Sequence, residues 1–192
     1  MLILFTYSDY DLNEKSTLIE KCIANIAMGS TAALGELYSL IKGDVYAYAL
    51  SKLANKQNAE DITHDTFVQI YKNAPAYKPQ GKPLAWIFTI ELNLIKRLFQ
   101  LSARSVSYEQ TFNDDRALGG EDFSESVVNS EFLRSVLKVL SPNEREIVVL
   151  HINSGLKHRE IANLLHMPLA TVLSKYARAI KKLQIYIKEG LK

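Results

Sequence analysis

Apolar residues recur along most of this chain every three or four positions, the spacing of one helix face, and the alternation of half-buried strands is nearly absent. Leu18, Ile19, Cys22, Ile23 and Ile26 place a first helix over 12–27. Ser30 or Thr31 caps a second, whose stripe is Leu34, Leu37, Tyr38, Ile41, Val45, Tyr48, Ala49 and Leu53. The polar run 55–58 predicts a turn, with Asn58 capping a third helix. Glu60 and Asp61 then fall in its first turn, where negative charge suits the helix dipole. Its expected inner face is Ile62, Thr66, Phe67, Ile70 and Tyr71. Pro75, Pro79 and Gly81 predict a loop. Pro83 opens a fourth helix, at a position where its fixed φ is welcome, and that helix runs through Leu84, Ile87, Ile90, Leu94 and Leu98.

Periodicity fades over 102–130, which is rich in Ser, Asp, Glu and Gly and reads as a flexible linker. Order returns near Glu131 with Phe132, Leu133, Val136, Leu137 and Leu140. Ser141-Pro142-Asn143-Glu144 has the form of a capping box with Pro at the first helical position, starting a helix that ends at Gly155. Beyond it, Leu156, Ile161, Leu164 and Leu165, then Leu169, Val172, Tyr176, Ala179 and Leu183, mark two helices broken at Met167-Pro168. A second helix leaving such a turn can enter the major groove of DNA. Its polar face offers Thr171, Ser174, Lys175, Arg178, Lys181 and Lys182. The predicted fold is all-α: two small helical domains (1–100 and 130–192) joined by an acidic flexible linker (101–129), the C-terminal one a helix-turn-helix. Two domains so joined are expected to move relative to each other.

Composition adds a charge pattern. The 192 residues are 47% hydrophobic and carry a net charge of only +2, so the chain can bury a core. From Thr171 to Lys192 six basic residues stand against Glu189 alone, and from Lys72 to Arg104 six stand against Glu91 alone. Between them, Leu101 to Ser130 holds six acidic residues against two basic. Two basic segments separated by an acidic one suggest two phosphate-facing surfaces and a linker. Cys22 is the single cysteine, which excludes an internal disulfide and fits a reducing cytoplasm. The apolar Met1 to Phe5 lacks a basic leader and is too short for a signal or membrane helix. No glycine-rich phosphate loop, Ser/His/Asp set or paired metal motif points to an enzyme. Asp61, His64 and Asp65 share a helix face, but no second helix supplies further ligands, so neither a metal nor another cofactor is expected.

Two separated patterns coincide. The first is Ala59-Glu60-Asp61-Ile62-Thr63-His64-Asp65-Thr66-Phe67, then Pro83-Leu84-Ala85-Trp86-Ile87-Phe88-Thr89-Ile90 and Asn93. The second is Leu140-Ser141-Pro142-Asn143-Glu144-Arg145-Glu146, then Gly155-Leu156, Glu160-Ile161-Ala162 and Thr171-Val172-Leu173-Ser174. Together they resemble bacterial sigma-70 family factors of the small two-domain extracytoplasmic-function (ECF) group, over roughly residues 30–100 and 130–188.

The resemblance implies a non-enzymatic transcription initiation factor of the cytoplasm. Its implied partners are core RNA polymerase, through the β′ and β subunits, promoter DNA and an anti-sigma factor. Glu60, Asp61, His64 and Asp65 resemble the region 2 face that docks on the β′ coiled coil. Lys72, Lys78, Lys82, Trp86, Asn93, Lys96 and Arg97 resemble the part that melts and reads the minus-ten element, with Tyr71 and Tyr77 as further candidates. Aromatic faces stack on extruded bases while Lys and Arg hold phosphates. Trp86 is open to a core reading or a stacking one, the core favoured, and Tyr71 is expected in the core. Arg159, Thr171, Ser174, Lys175, Arg178, Lys181 and Lys182 resemble the region 4 helix-turn-helix that binds the minus-thirty-five element. There Thr171 and Ser174 sit near base edges and the cations sit on phosphates. Lys181 and Lys182 fit a solvated helix end equally well.

The chain departs from the family pattern at five places. His64 stands where Gln is usual, Glu91-Leu92 where a small residue and Arg precede Asn93, and Lys96-Arg97 where an Asp is common. His166 holds the turn position of a Gly, so a positive φ is expected there. Leu173 replaces a frequent Lys. Loss of basic contacts at Leu92 and Leu173 keeps a sigma-like decoy or adaptor in view. A stand-alone helix-turn-helix regulator is a second alternative, against which the acidic docking pattern argues.

Overall fold

The computed structural model describes residues 9–105 and 138–190, which are helical apart from turns and loops, with no strand among them. Most of the predicted linker, and Phe132, Leu133, Val136 and Leu137 after it, lie outside the described residues. The N-terminal half holds α1 (Asp9–Ala27), α2 (Thr31–Leu53), α3 (Lys56–Asn73), a short 3₁₀ turn (Ala74–Ala76) and α4 (Pro83–Ser105). The C-terminal half holds α5 (Pro142–Val148), a π turn (Val149–Asn153), α6 (His158–Leu164) and α7 (Leu169–Gly190).

The helix ends follow from local chemistry. Ser30 Oγ accepts from the Ala33 amide at 3.2 Å and caps α2. Ala54 takes a left-handed conformation (φ 50) and ends α2. The chain therefore turns at once into α3, whose cap is Asn55 rather than Asn58: Asn55 Oδ1 accepts from the Asn58 amide at 2.9 Å. Helix α3 thus starts earlier than the sequence suggests, and Glu60 and Asp61 fall in its second turn. The capping box is present as predicted, with Glu144 Oε2 accepting from the Ser141 amide at 3.0 Å and from its hydroxyl at 2.8 Å. The helix it starts widens into the π turn before Gly155, whose φ of 75 suits glycine.

Two apolar clusters make the core. One joins Ile19, Ile23 and Ile26 of α1 with Leu37, Ile41 and Val45 of α2, Phe67 and Ile70 of α3, and Ile87 of α4. The other runs through both halves. It joins Tyr46–Leu50 of α2 and Phe88, Leu92 and Ile95 of α4 to Ile147–Leu150, Leu156, Ile161, Val172, Ala179 and Leu183. Full burial of each such Leu, Ile or Phe stabilises by about 1.5–3 kcal/mol.

Helix α2 is the hub. Every residue from Asp44 to Leu50 is buried, as is Ser51, because this end of α2 is covered by α3 and α4 on some sides and by α5 and the π turn on another. A helix buried all round shows no single stripe. Here the two halves share one apolar cluster. The buried side of α4 differs from the expectation. Ile87, Phe88, Glu91, Leu92 and Ile95 are buried, while Ile90, Leu94 and Leu98 are half-buried, because α4 meets the α1–α3 bundle and α6 together. Tyr71, expected in the core, is 42% exposed at the outer side of α3.

Candidate nucleic-acid interface

The sequence-predicted residues occupy three surfaces. On α3, Asp61, His64 and Asp65 are exposed and Glu60 is half-buried beside them, all on one face. None of the three carboxylates forms an ion pair among the described residues. With α3 starting at Lys56 they lie beyond the first turn, where the dipole effect has faded. Helix capping therefore does not account for them. The His64 ring stacks on Tyr38 at 6.4 Å, which orients it on that face. Among the described residues, no three His, Cys, Asp or Glu side chains are grouped so as to hold a metal ion.

The second surface is the turn and loop before α4, with the outer side of α4. One carboxylate pins the loop: Glu20 Oε1 accepts from the Tyr77 hydroxyl at 3.0 Å and from the Gly81 amide at 2.9 Å. Gly81 has φ 68, a conformation that favours glycine. Burial, and then the bond to Glu20, push the Tyr77 phenol up, so it stays protonated. Trp86 lies against Tyr77, with ring centroids 4.7 Å apart, and packs on the N-terminal core. It is half-buried, and its remaining surface lines an open cavity of about 520 Å³. Trp86 is thus braced by the core and still presents a face, so the two sequence readings are not exclusive. Lys78 and Lys82 line the same cavity, and Glu160, Asn163 and Leu164 of α6 close its far side. Lys72, Asn93, Lys96 and Arg97 are exposed outside it. A basic rim around a braced aromatic pair is suited to unpaired bases and their phosphates.

The third surface is the helix-turn-helix of α6 and α7. His166 in the turn has φ 53, the positive value expected for a residue in a glycine position. Thr171 and Ser174 sit in the first turns of α7, where Ser174 Oγ donates to the Thr171 carbonyl at 3.0 Å. Arg178 Nε donates to the Ser174 carbonyl at 3.3 Å. Arg159, Arg178 and Lys181 are exposed and Lys175 is half-buried. Lys182 differs from the expectation of a DNA-facing or merely solvated cation. Its Nζ pairs with Glu144 Oε2 at 2.8 Å and ties α7 to the cap of α5. Burial works to raise the Glu144 carboxyl, but hydrogen bonds from Lys182 and Ser141 outweigh it and hold it at about 2. Leu173 is 46% exposed on the outer side of α7. Leu92, by contrast, is buried in the shared cluster, so no DNA contact is missing at that position in this arrangement.

Sequence reasoning missed a ring cluster beneath the helix-turn-helix. His151 and His158 lie 4.0 Å apart between centroids, and each meets the edge of Tyr176 at under 5 Å. Burial, then the neighbouring His151, lower the His158 pKa. It also missed the burial of Glu91, a carboxyl on α4 enclosed on all sides and approached by the Ala49 backbone. No periodicity rule finds a polar residue on an apolar face.

Comparison with known proteins matches these surfaces to two family models. The one described as Sigma-70 region 2 matches residues 37–104, and the one described as Sigma-70, region 4 matches residues 132–183. Together they span more than half of the chain. The chain belongs to the sigma-70 family, in its ECF group. Among its relatives is the ECF RNA polymerase sigma factor BldN of Streptomyces coelicolor, 29% identical over 182 residues, covering 92% of this chain and 64% of that protein. Another is the ECF RNA polymerase sigma factor SigM of Bacillus subtilis, 27% identical, covering 82% of this chain and 97% of SigM. This sigma-70 family chain thus spans less than two thirds of the length of BldN and nearly all of SigM. Its fold is that of the sigma factor RpoE of Bartonella quintana, solved in complex with the anti-sigma factor NepR: TM-score 0.64 at 23% identity, covering 80% of this chain and 96% of that one. No helix among the described residues is long and apolar enough to cross a membrane.

Proposed function

We propose that this ECF-group protein is a dissociable transcription initiation factor of the cytoplasm. It binds core RNA polymerase, directs it to promoters and performs no covalent chemistry itself. The observation that carries the reading is the acidic face of α3: three carboxylates without an ion pair among the described residues, outside the first helical turn, in the same half as a basic, aromatic loop and preceding a helix-turn-helix. Glu60, Asp61, His64 and Asp65 dock on a basic element of the polymerase, where carboxylates set register and speed encounter. Lys72, Lys78, Lys82, Trp86, Asn93, Lys96 and Arg97 handle the melted minus-ten strand. Arg159, Thr171, Ser174, Lys175, Arg178 and Lys181 hold the minus-thirty-five duplex, while Lys182 serves chiefly to hold α7 on α5. An anti-sigma factor is a partner by family resemblance.

The test is affinity for purified core polymerase. The wild type binds, and Asp61→Arg combined with Asp65→Arg weakens binding by at least tenfold without unfolding the protein, since both side chains are exposed. Absence of wild-type binding would overturn the reading. Undiminished binding by the double variant would move the docking surface elsewhere.

A further inference from the structure

We propose that Leu169 and Leu173, on the outer side of α7, read thymine: their side chains seat against the C5-methyl groups of thymines in the major groove of the minus-thirty-five element. The proposal deepens the initiation-factor reading and rests on it. Leu169 is 36% exposed and Leu173 46%, and neither belongs to the apolar cluster beneath α7. The two lie one helical turn apart. Ala177 follows at the same spacing, also exposed, and Ala170 is exposed beside them. The result is an apolar stripe over the first turns of α7. Those turns meet base edges when the second helix of such a motif lies in the major groove. A single exposed leucine needs no explanation, but a contiguous exposed apolar patch marks a surface that a partner covers.

The neighbouring charges select the occupant. Arg178 and Lys181 are exposed on the same helix, Lys175 is half-buried beside them, and Arg159 is exposed on α6. From Leu169 to Lys188 the helix carries no carboxylate. The partner that fits is anionic at its rim and apolar at its centre. Duplex DNA has phosphates at the rim of its major groove, and of the four bases thymine alone presents a methyl group there. The nearby polar groups are already engaged. The Ser174 hydroxyl donates to the Thr171 carbonyl at 3.0 Å, so its proton is committed within the helix. Arg178 Nε donates to the Ser174 carbonyl at 3.3 Å, which leaves the outer guanidinium nitrogens for a phosphate. Leu169 and Leu173 lie about 6 Å apart along the helix axis, close to two base-pair steps of roughly 3.4 Å each. They therefore reach thymines within about three consecutive pairs.

The test begins with selection from a pool of duplexes with a randomised centre, by the full chain with core RNA polymerase and, in parallel, by the full chain alone. The enriched duplex is then remade with uracil at each thymine in turn, which removes only the methyl group. The wild type loses affinity about fourfold at each contacted thymine, the worth of one buried methyl group. Leu173→Ala binds the thymine and uracil forms equally at one of these positions, and Leu169→Ala does so at another. Both side chains are exposed, so the variants keep the helical content and melting temperature of the parent. An enriched motif without thymine, no enrichment in either arm, or a uracil effect that persists in both variants overturns the proposal. Weaker binding of Leu173→Ala to core polymerase also overturns it, since the stripe then docks on protein. Failure of the initiation-factor reading looks different: the chain alone enriches the thymine motif with the same uracil response, but core polymerase neither binds nor alters it.

Discussion

Tyr48 and Glu146, 98 residues apart in sequence, share a buried 2.6 Å hydrogen bond that joins the two halves of the chain. Burial, then the adjacent Glu146 carboxylate, push the Tyr48 phenol well above its ordinary pKa, so it remains a donor at all physiological pH. A double-mutant cycle of Tyr48→Phe and Glu146→Gln in urea denaturation should give a coupling energy of about 1–3 kcal/mol. Additive effects would show that the two groups do not stabilise each other.

Glu91 should cost stability at neutral pH. Burial raises its carboxyl well above 4.5, with Asp44 adding to the rise and the Ala49 backbone opposing it. An acid whose folded pKa is raised is most stabilising below its unfolded pKa, and stability falls as pH climbs through the folded value. Glu91→Gln should therefore flatten the decline in unfolding free energy above pH 5 and raise stability at pH 8 by about 1–3 kcal/mol. A steeper decline in the variant would contradict this.

Glu144 should show the opposite slope. Its pKa is held at about 2 against 4.5 when unfolded, so its contribution is full above 4.5 and is lost as pH falls towards 2. Lys182→Met should reduce stability at pH 6 by about 0.5–1 kcal/mol, a partly exposed pair being screened, and much less at pH 2. Equal losses at both pH values would separate the effect from the ion pair.

His166 adopts φ 53 in the turn of the helix-turn-helix. His166→Gly should raise the melting temperature, by about 0.5–1 kcal/mol in free energy, and His166→Val should lower it. The reverse order would mean that the His166 side chain has a compensating contact.

Most elements were legible because they rest on local chemistry: the Ser30 cap, the Ser141–Glu144 box, Pro83 at the start of α4 and the His166 turn each involve residues within a few positions. The cap at Asn55 was misread because a left-handed Ala54 carries no sequence signal. The seam between the two halves was not legible at all. Tyr48, Lys52 and Asp44 look like ordinary positions on a helix, and their partners lie about 100 residues away. Of the candidate site, the exposed cations and carboxylates were found by residue type. The pairing of Lys182 with Glu144 was not, since helix α7 has to pack on α5 before the two can meet.

The most direct test is run-off transcription with purified core RNA polymerase on fragmented genomic DNA from the source organism. The account predicts discrete transcripts that require the wild-type protein, are lost with Asp61→Arg, and are strongly reduced with Lys175→Ala plus Arg178→Ala. No protein-dependent transcript from the wild type would contradict it.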